Sequence, residues 1–145
     1  MKIRFATLKD FDLLIEGLED IRKHEGYKYI HAKEKDKLDY RKAIKNKNIK
    51  IIEVNGKKAG FLYFKLNFKL MYIDEKFLWV QRIYVRKEFR GKGFSRILYN
   101  NAIKIARKNG LGKIFCDVYA VNKKSIKVHK KIGFSPIYTI YQKKL

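Results

Sequence analysis

The segment from residue 80 to residue 95 constrains the fold of this chain more than any other. It begins as an apolar strand, passes through a loop rich in glycine and cations, and continues as the start of a helix. A helix N-terminus presents unpaired N–H groups and a partial positive charge, which suit an anionic phosphate. Gly91 and Gly93 lack a Cβ, so the backbone there can adopt positive φ and lie close to a ligand. The segment therefore predicts a strand–loop–helix unit with a phosphate site at its turn.

Two well-known phosphate loops are excluded by the sequence. The spacing G-x-x-x-x-G-K-[ST] is absent, and the dinucleotide fingerprint would need a third glycine and a downstream acid. Four cations near the glycines add positive charge on the approach: Arg86, Lys87, Arg90 and Lys92. On these residues alone, a plain strand-to-helix turn without a ligand stays open as the alternative.

The rest of the sequence predicts a mixture of strands and helices. Apolar residues recur at helical spacing after the cap residue Thr7, and Asn55-Gly56 is a strong hairpin turn. We expect strands at Lys2–Phe5, Ile49–Val54, Lys58–Leu70, Phe77–Val85, Lys113–Tyr119 and Ile137–Lys143. We expect helices after Thr7 and at Asp36–Lys45, Gly93–Lys108 and Asn122–Ile132. This order predicts an α/β (α+β) fold whose middle strands are joined by hairpins and whose later part contains a right-handed crossover.

Composition places the chain among single-domain proteins. The 145 residues fit one domain, 1–145, because no stretch rich in proline, serine or glycine offers a linker. No apolar run approaches the roughly 18 residues that cross a bilayer, and the start lacks a secretory signal, so we expect a cytoplasmic protein. The single cysteine, Cys116, excludes an internal disulfide and lies in an apolar run, which favours a small buried side chain. His24 and His31 are not spaced as a metal pair with any carboxylate, so no metal site is predicted.

The net charge of +22 is unusual for a chain of this length. Such a field attracts polyanions, so nucleic acid is one candidate partner. An anionic cofactor that uses part of the field, or a surface coated with lysine, would also explain the charge. Lysine greatly outnumbers arginine and is scattered along the chain, whereas nucleic-acid sites tend to cluster arginine for bidentate contacts. The pattern therefore favours a lysine-rich surface over a nucleic-acid site.

The glycine loop resembles the cofactor signature of the GNAT superfamily of N-acetyltransferases, [QR]-x-x-G-x-[GA]. Arg90 and Gly93 match it, and Ser95 stands in the last small position. A second match lies downstream, where Asn122, Ser125 and His129 fit N-x-x-[AS]-x-x-x-[YH]-x-K-x-G-F and Lys131, Gly133 and Phe134 complete it. The form S-x-x-x-H also occurs in members that resemble phosphinothricin acetyltransferases, but five residues do not assign a substrate. The resemblance implies one domain with a mixed sheet of about six to seven strands and about four helices.

The same resemblance implies acetyl-CoA as co-substrate and CoA as product. Pantetheine would hydrogen-bond along the backbone of Ile83, Tyr84 and Val85. Asn122, Ser125 and His129 would border the cofactor from the second motif. The pyrophosphate would lie on the loop Arg90, Gly91, Lys92, Gly93, Phe94 and Ser95. The implied reaction is direct transfer of the acetyl group to a primary amine within a ternary complex.

Two proton transfers accompany such a reaction. The leaving thiolate needs a proton, and we predict His129 as the general acid, with a residue that merely lines the pocket as the alternative. No carboxylate stands at Gln81 or Arg82, where many members carry a base. Gln81, or a tyrosine among Tyr27, Tyr29 and Tyr138, would hold a water that takes the amine proton. Alternatively, the acceptor amine has a low pKa and needs no strong base. Asp74 and Glu75 lie in the preceding turn, too far along for this role.

The sequence does not identify the amine that accepts the acetyl group. If Arg82 rather than Gln81 faces the cleft, the acceptor should carry a carboxylate or phosphate; otherwise Arg82 is an exposed strand residue. The acceptor is a small molecule or a peptide amine, and the resemblance allows a homodimer. The alternative function is a basic protein on the same fold that binds nucleic acid or senses CoA with little or no catalysis.

Overall fold

The computed structural model describes residues 1–145 as a five-stranded sheet with four α-helices. The strands are β1 Lys2–Phe5, β2 Ile49–Val54, β3 Lys57–Phe68, β4 Phe77–Val85 and β5 Ile114–Phe115. The helices are α1 Phe11–His24, α2 Glu34–Lys45, α3 Phe94–Lys108 and α4 Lys123–Ile132, with short 3-10 turns at Leu8–Asp10 and Lys87–Phe89. The sheet order is β1-β2-β3-β4-β5; the first four strands are antiparallel and β5 runs parallel to β4. The predicted mixed α/β class is confirmed.

Helices cover both faces of the sheet because the side chains of β3 and β4 alternate between them. On one face, α1 and α2 bury Leu14, Leu18 and Tyr40 against Phe61 of β3. On the other face, α3 packs against the side chains of β3 and β4 that point to that face. Leu98, Tyr99 and Ala102 of α3 share this core with Leu62 and Leu78. Side chains of β4 are thus buried in both cores, one on each face of the sheet.

Gly17 lets α1 lie unusually close to the sheet. A Cβ at this position would overlap the ring of Phe61 and come within 2.9 Å of the ring of Tyr84. The close approach brings the last turns of α1 beside the end of β4. Residues 20–25 are thereby placed at the same edge of the molecule as the glycine loop.

Asp10 is the one charged residue that is fully buried. Its carboxylate accepts hydrogen bonds from Arg4 at 2.8 and 2.9 Å and from the amide of Thr7 at 2.8 Å, and it pairs with Lys58 at 3.0 Å. Burial alone would raise its pKa, but these partners outweigh burial and hold the pKa of Asp10 well below the ordinary value. The cluster ties β1 and the start of α1 to β3.

The predictions at the C-terminal end were partly wrong. The segment 137–143 is not a strand, although its side chains alternate: Ile137, Ile140 and Tyr141 are exposed and no neighbouring strand pairs with the segment. A strand requires a ladder partner as well as an alternating pattern. β5 is also shorter than predicted, because pairing with β4 stops at Phe115. The sheet therefore has five strands where six to seven were expected.

No helix of the chain combines the length and the apolarity that crossing a membrane requires.

Candidate functional site

The strands β4 and β5 separate after only two residue pairs. Leu78 faces Ile114 and Trp79 faces Phe115, and beyond them the two chains diverge. β4 continues to Val85 while its other edge stays paired with β3. The separation opens a fork in the sheet whose β4 arm carries unpaired backbone groups.

A β-bulge at Gln81 decides which backbone groups face this fork. Tyr63 pairs with Arg82 and the next residue of β3 pairs with Val80, so Gln81 is an extra residue on β4. Before the bulge, the amide of Leu78 donates to Lys113 of the β5 segment. After it, the amide of Arg86 donates to Ala59 of β3. By alternation, the amides of Ile83 and Val85 point into the fork, where an extended ligand could pair with them.

The loop after β4 ends at a helix N-terminus with free donors. The amides from Gly91 to Arg96 donate no hydrogen bond within the chain, and the first amide of this region that does is that of Ile97. Gly91 and Gly93 have φ values of 76° and 83°, as the sequence predicted, and a Cβ would meet no protein atom at either position. Six consecutive N–H groups are thereby presented to the solvent at the positive end of α3.

One cleft of about 440 Å³ joins the loop to the fork. It is lined by all of the predicted cofactor-binding residues except Lys92: Ile83, Tyr84, Val85, Arg90, Gly91, Gly93, Phe94, Ser95, Asn122, Ser125 and His129. Lys92 is exposed beside the ring of Phe89, and Gln81 also lies outside the cleft lining. Three further cations border the cleft: Lys131 of the second motif, and Arg96 and Lys124, which the sequence analysis did not name.

Arg90 shapes the loop from within. Its Nε donates to the carbonyl of Val85 at 2.8 Å, and its Nη2 pairs with Asp20 of α1 at 2.9 Å. Arg86 is likewise paired, with Glu16 at 3.0 Å. These two guanidinium groups are therefore neutralised by α1, which corrects the expectation that both add free charge. Lys87 and Lys92 remain exposed.

The start of α4 borders the cleft on its far side. Asn122 is the N-cap of this helix, and its Oδ1 accepts from the amide of Ser125 at 3.2 Å. The side-chain amide group of Asn122 makes no hydrogen bond within the chain, so its N–H groups remain available to the cleft it lines. The cap fixes the direction of α4 and with it the position of His129.

His129 is held at both ring nitrogens. Nδ1 lies 2.7 Å from the carbonyl oxygen of Ser125, which can only accept, so Nδ1 carries a proton. Nε2 lies 2.5 Å from the hydroxyl of Tyr99, which donates to it when the ring is neutral. Tyr99 is 1% exposed, and burial raises its pKa well above the ordinary value, so the hydroxyl keeps its proton. The predicted acid is thus one half of a hydrogen-bonded pair, and the sequence analysis missed the other half.

Cys116 directly follows β5 and adjoins Tyr99. Burial raises the pKa of its thiol to about 11, with Tyr99 as a neighbour that lowers it. A protonated thiol is a weak nucleophile. The residue is half-buried, and its chemistry agrees with the predicted packing role.

Gln81 and the predicted tyrosines have other partners. Oε1 of Gln81 accepts from the indole of Trp79 at 3.0 Å. The hydroxyl of Tyr27 lies 3.1 Å from that of Tyr119, while Tyr29 and Tyr138 are exposed. Glu75 pairs with Lys113 at 2.7 Å and Asp74 is exposed, in agreement with their exclusion as bases.

Two carboxylates that the sequence analysis did not consider lie near the fork. Glu25 follows α1 directly, and Asp117 lies two residues beyond the last pair of β5. Burial raises the pKa of Glu25, and the charge of Asp117 raises it further, against a lowering by Arg82. Desolvation also raises the pKa of Asp117, although the residue as a whole is exposed. No local signal marks either residue in the sequence, because the fold alone brings them together.

The two other histidines contribute little to the site. Nδ1 of His24 donates to the carbonyl of Asp20 at 2.8 Å, and His24 lines the cleft. His31 is exposed, with Nδ1 3.5 Å from Glu19. A larger cavity of about 570 Å³ lies between α3, β5 and the C-terminal segment, and Tyr99 and Ile132 line both it and the cleft. It contains neither the glycine loop nor the end of β4.

Comparison with known proteins agrees with this geometry. The model of the acetyltransferase (GNAT) family matches residues 14–134. The chain belongs to this family. An uncharacterized N-acetyltransferase of Methanocaldococcus jannaschii is 30% identical to this GNAT-family chain over 136 residues, which cover 91% of this chain and 59% of the relative. The chain thus spans about three fifths of the length of that relative.

Two solved GNAT-like structures illustrate the shared fold. The aminoglycoside 6'-N-acetyltransferase of Acinetobacter haemolyticus has a TM-score of 0.78 and 14% identity, covering 100% of this chain and 99% of its own. A predicted acetyltransferase of Clostridium acetobutylicum, crystallised with acetyl-CoA, has a TM-score of 0.71 and 18% identity, covering 99% of this chain and 95% of its own. At these identities the likeness concerns the fold of the GNAT domain.

Proposed function

We propose that this protein is an acetyl-CoA-dependent N-acetyltransferase that moves the acetyl group to a primary amine by direct transfer in a ternary complex. The observation that carries the proposal is the row of unpaired amides from Gly91 to Arg96, which opens onto the free amides of Ile83 and Val85. A phosphate group and an extended amide chain are the two ligands that these donors fit. CoA contains both.

The residues of the cleft fit this cofactor in order along its length. The amides of the glycine loop would hold the pyrophosphate, with Lys124 and Lys131 as nearby cations. The amides of Ile83 and Val85, and the side-chain amide of Asn122, would bind pantetheine. Arg90 acts indirectly, because its side chain is occupied by Val85 and Asp20 and keeps the loop in shape. Acetyl-CoA supplies the thioester whose carbonyl is attacked.

Protonation of the leaving thiolate falls to Tyr99 and His129. The hydroxyl of Tyr99 is the group of the pair whose proton can move without breaking a backbone contact, because Nδ1 of His129 stays on Ser125. In this proposal the imidazolium form of His129 donates its Nε2 proton to the hydroxyl of Tyr99, while that hydroxyl gives its own proton to the thiolate, so that a neutral imidazole and a neutral tyrosine remain. His129 remains the acid of the reaction, and Tyr99 connects it to the sulfur.

Removal of the amine proton falls to Glu25, with Gln81 as a residue that positions water. An amide side chain has no basic site at neutral pH, so Gln81 can only orient a water molecule. Glu25 is a carboxylate at the fork, and its raised pKa makes it a stronger base than an ordinary glutamate. A primary amine with a pKa of about 10.4 must lose a proton before it attacks.

Calorimetry combined with an amine screen tests the proposal. We expect CoA to bind with a micromolar dissociation constant and acetyl-CoA to release free CoA when a suitable amine from a broad panel is present. Titration with duplex DNA and tRNA over a salt series serves as the control for the charge of +22. Steeply salt-dependent binding of nucleic acid without binding of CoA would contradict the proposal. Binding of CoA without turnover of any amine would indicate a CoA sensor instead.

A further inference from the structure

Arg82 stands at the fork with its guanidinium fixed over two aromatic rings. It lies three residues past the last pair of β4 and β5, on the face of the sheet that α1 and α2 cover. Its guanidinium carbon is 5.5 Å from the ring centroid of Tyr40 and 5.9 Å from that of Tyr63. Stacking on aromatic faces orients a guanidinium while its N–H edge stays free to bind an anion.

Arg82 is the exception among the half-buried arginines of this chain. The other four each hold a carboxylate at 3.0 Å or less: Arg4, Arg22, Arg86 and Arg90. Arg82 makes no ion pair within 4.0 Å, and no carboxylate or carbonyl accepts a hydrogen bond from its guanidinium. A half-buried guanidinium without a partner loses hydration that nothing in the chain replaces.

A second polar group beneath Arg82 also lacks a partner. The hydroxyl of Tyr40 is buried and forms no hydrogen bond, and the residue is 0% exposed. Burial raises the pKa of Tyr40 to about 12, against a lowering by Arg82, so the hydroxyl is neutral. The hydroxyl of Tyr40 therefore lies beside the guanidinium without compensating its charge, and Arg82 has no anionic partner at the fork.

Two carboxylates also lie near the fork, those of Glu25 after α1 and Asp117 after β5. The positive charge of Arg82 acts to lower the pKa of both Glu25 and Asp117. Neither carboxylate comes within 4.0 Å of the guanidinium. A ligand with an ammonium and an anion can satisfy both sides at once. A singly charged carboxylate suits this position better than a phosphate dianion, because Glu25 and Asp117 would repel the additional charge.

We propose that Arg82 binds a carboxylate on the acceptor, so that the substrate is an amino acid or another small amine that carries a carboxylate. The amine of such an acceptor faces Glu25 and Asp117, and the carboxylate lies on the N–H edge of Arg82. The inference rests on the proposed function, because it names the acceptor of that reaction. It also answers the alternative left open by the sequence, since the bulge at Gln81 places the side chain of Arg82 on the face covered by α1 and α2, over Tyr40 and Tyr63.

Paired acceptors that differ only in the carboxylate test this inference. Free amino acids are compared with the amides of the same amino acids, and kcat/KM is measured by release of CoA for the wild-type protein and for Arg82→Gln. We expect the wild type to prefer acids over amides by at least about tenfold, and Arg82→Gln to lower that ratio by about 10- to 100-fold. Arg41→Gln is the matched control, because Arg41 lies over Phe11 at 5.2 Å and is exposed on α2. It should leave the ratio unchanged.

The possible outcomes separate this inference from the proposed function. Equal rates for acids and amides, an unchanged ratio in Arg82→Gln, or a preference for O-phosphoethanolamine would overturn the inference while acetyl transfer stands. The inference also fails if calorimetry finds CoA bound but no amino acid is acetylated. Absence of CoA binding removes the proposed function and the inference with it.

Discussion

The hydroxyl of Tyr99 lies 2.5 Å from Nε2 of His129, and both residues line the cleft that ends at the glycine loop. Their contact joins α3 to α4. Ser125 holds the other nitrogen of the imidazole through its backbone carbonyl. In the neutral pair one proton is fixed on Nδ1 and one lies between the hydroxyl and Nε2, so delivery of a proton to the thiolate requires the imidazolium form of His129.

Tyr99→Phe and His129→Phe should lower kcat while acetyl-CoA still binds. Loss of general acid catalysis reduces rates by about 10²- to 10⁴-fold, and we expect both variants within the lower part of that range. Steady-state kinetics gives kcat, and calorimetry with CoA gives the affinity. The affinity should change by no more than about threefold, because neither substitution touches the free amides of the loop. An unchanged kcat in either variant would exclude that residue from proton transfer.

Gly93→Ala should weaken CoA binding. A Cβ at φ 83° adds about 1 kcal/mol of strain and projects where the pyrophosphate would approach. We expect the dissociation constant from calorimetry to rise about tenfold, which corresponds to about 1.4 kcal/mol.

Gly110→Ala is the matched control for this substitution. Gly110 also has a positive φ, 71°, but follows the C-terminal end of α3, outside the cleft. Its melting temperature should fall as much as that of Gly93→Ala, with unchanged CoA affinity. Equal affinity losses in the two variants would mean that the effect is one of folding rather than of binding.

Glu25→Gln should remove the acidic limb of the pH–rate profile. A general base works when deprotonated, so kcat/KM of the wild type should fall as the pH drops through the pKa of Glu25. Because burial and Asp117 raise this pKa, the limb should lie above the ordinary value of about 4.3. Glu34→Gln, at an exposed position in the first turn of α2, should keep the wild-type profile. A limb that persists in Glu25→Gln would assign the base to another group.

Asp10→Asn should destabilise the protein at neutral pH, and the difference in stability from the wild type should become smaller in acid. Removing one partner of a buried ion pair costs about 3–5 kcal/mol. The folded pKa of Asp10 is lowered, so its stabilisation is complete above the unfolded pKa of about 3.9 and declines as the pH falls below that value. Urea unfolding at pH 7 and at pH 3 measures the difference between wild type and variant, which should shrink at the lower pH. The exposed Asp12→Asn should show no such trend.

The sequence predicted the elements whose boundaries carry local signals. β4 has the predicted bounds, and α3 begins one residue later than predicted, because an apolar strand, two glycines and a helical period mark the transition. The hairpin at Asn55-Gly56 also formed as expected, with positive φ at both residues. The residues predicted to bind the cofactor follow from motifs within these elements, and for that reason most of them meet in one cleft.

Contacts between residues far apart in the chain could not be predicted from the sequence. The bulge at Gln81 leaves no mark in the alternation of β4, so the face taken by Arg82 could not be chosen. The helical pattern of α3 places Tyr99 among its apolar core positions. Its hydroxyl contacts His129 only because α4 packs beside α3. The segment 137–143 has a strand pattern, but a pattern contains no information about whether a neighbouring strand is available.

The extra residue at Gln81 shifts the alternation of β4 by one position. Regular alternation from Leu78 would turn the amides of Arg82 and Tyr84, rather than those of Ile83 and Val85, toward the fork. It would also move the side chain of Arg82 to the face that α3 covers, away from Tyr40 and Tyr63. One inserted residue therefore sets both the backbone donors of the fork and the face on which Arg82 lies.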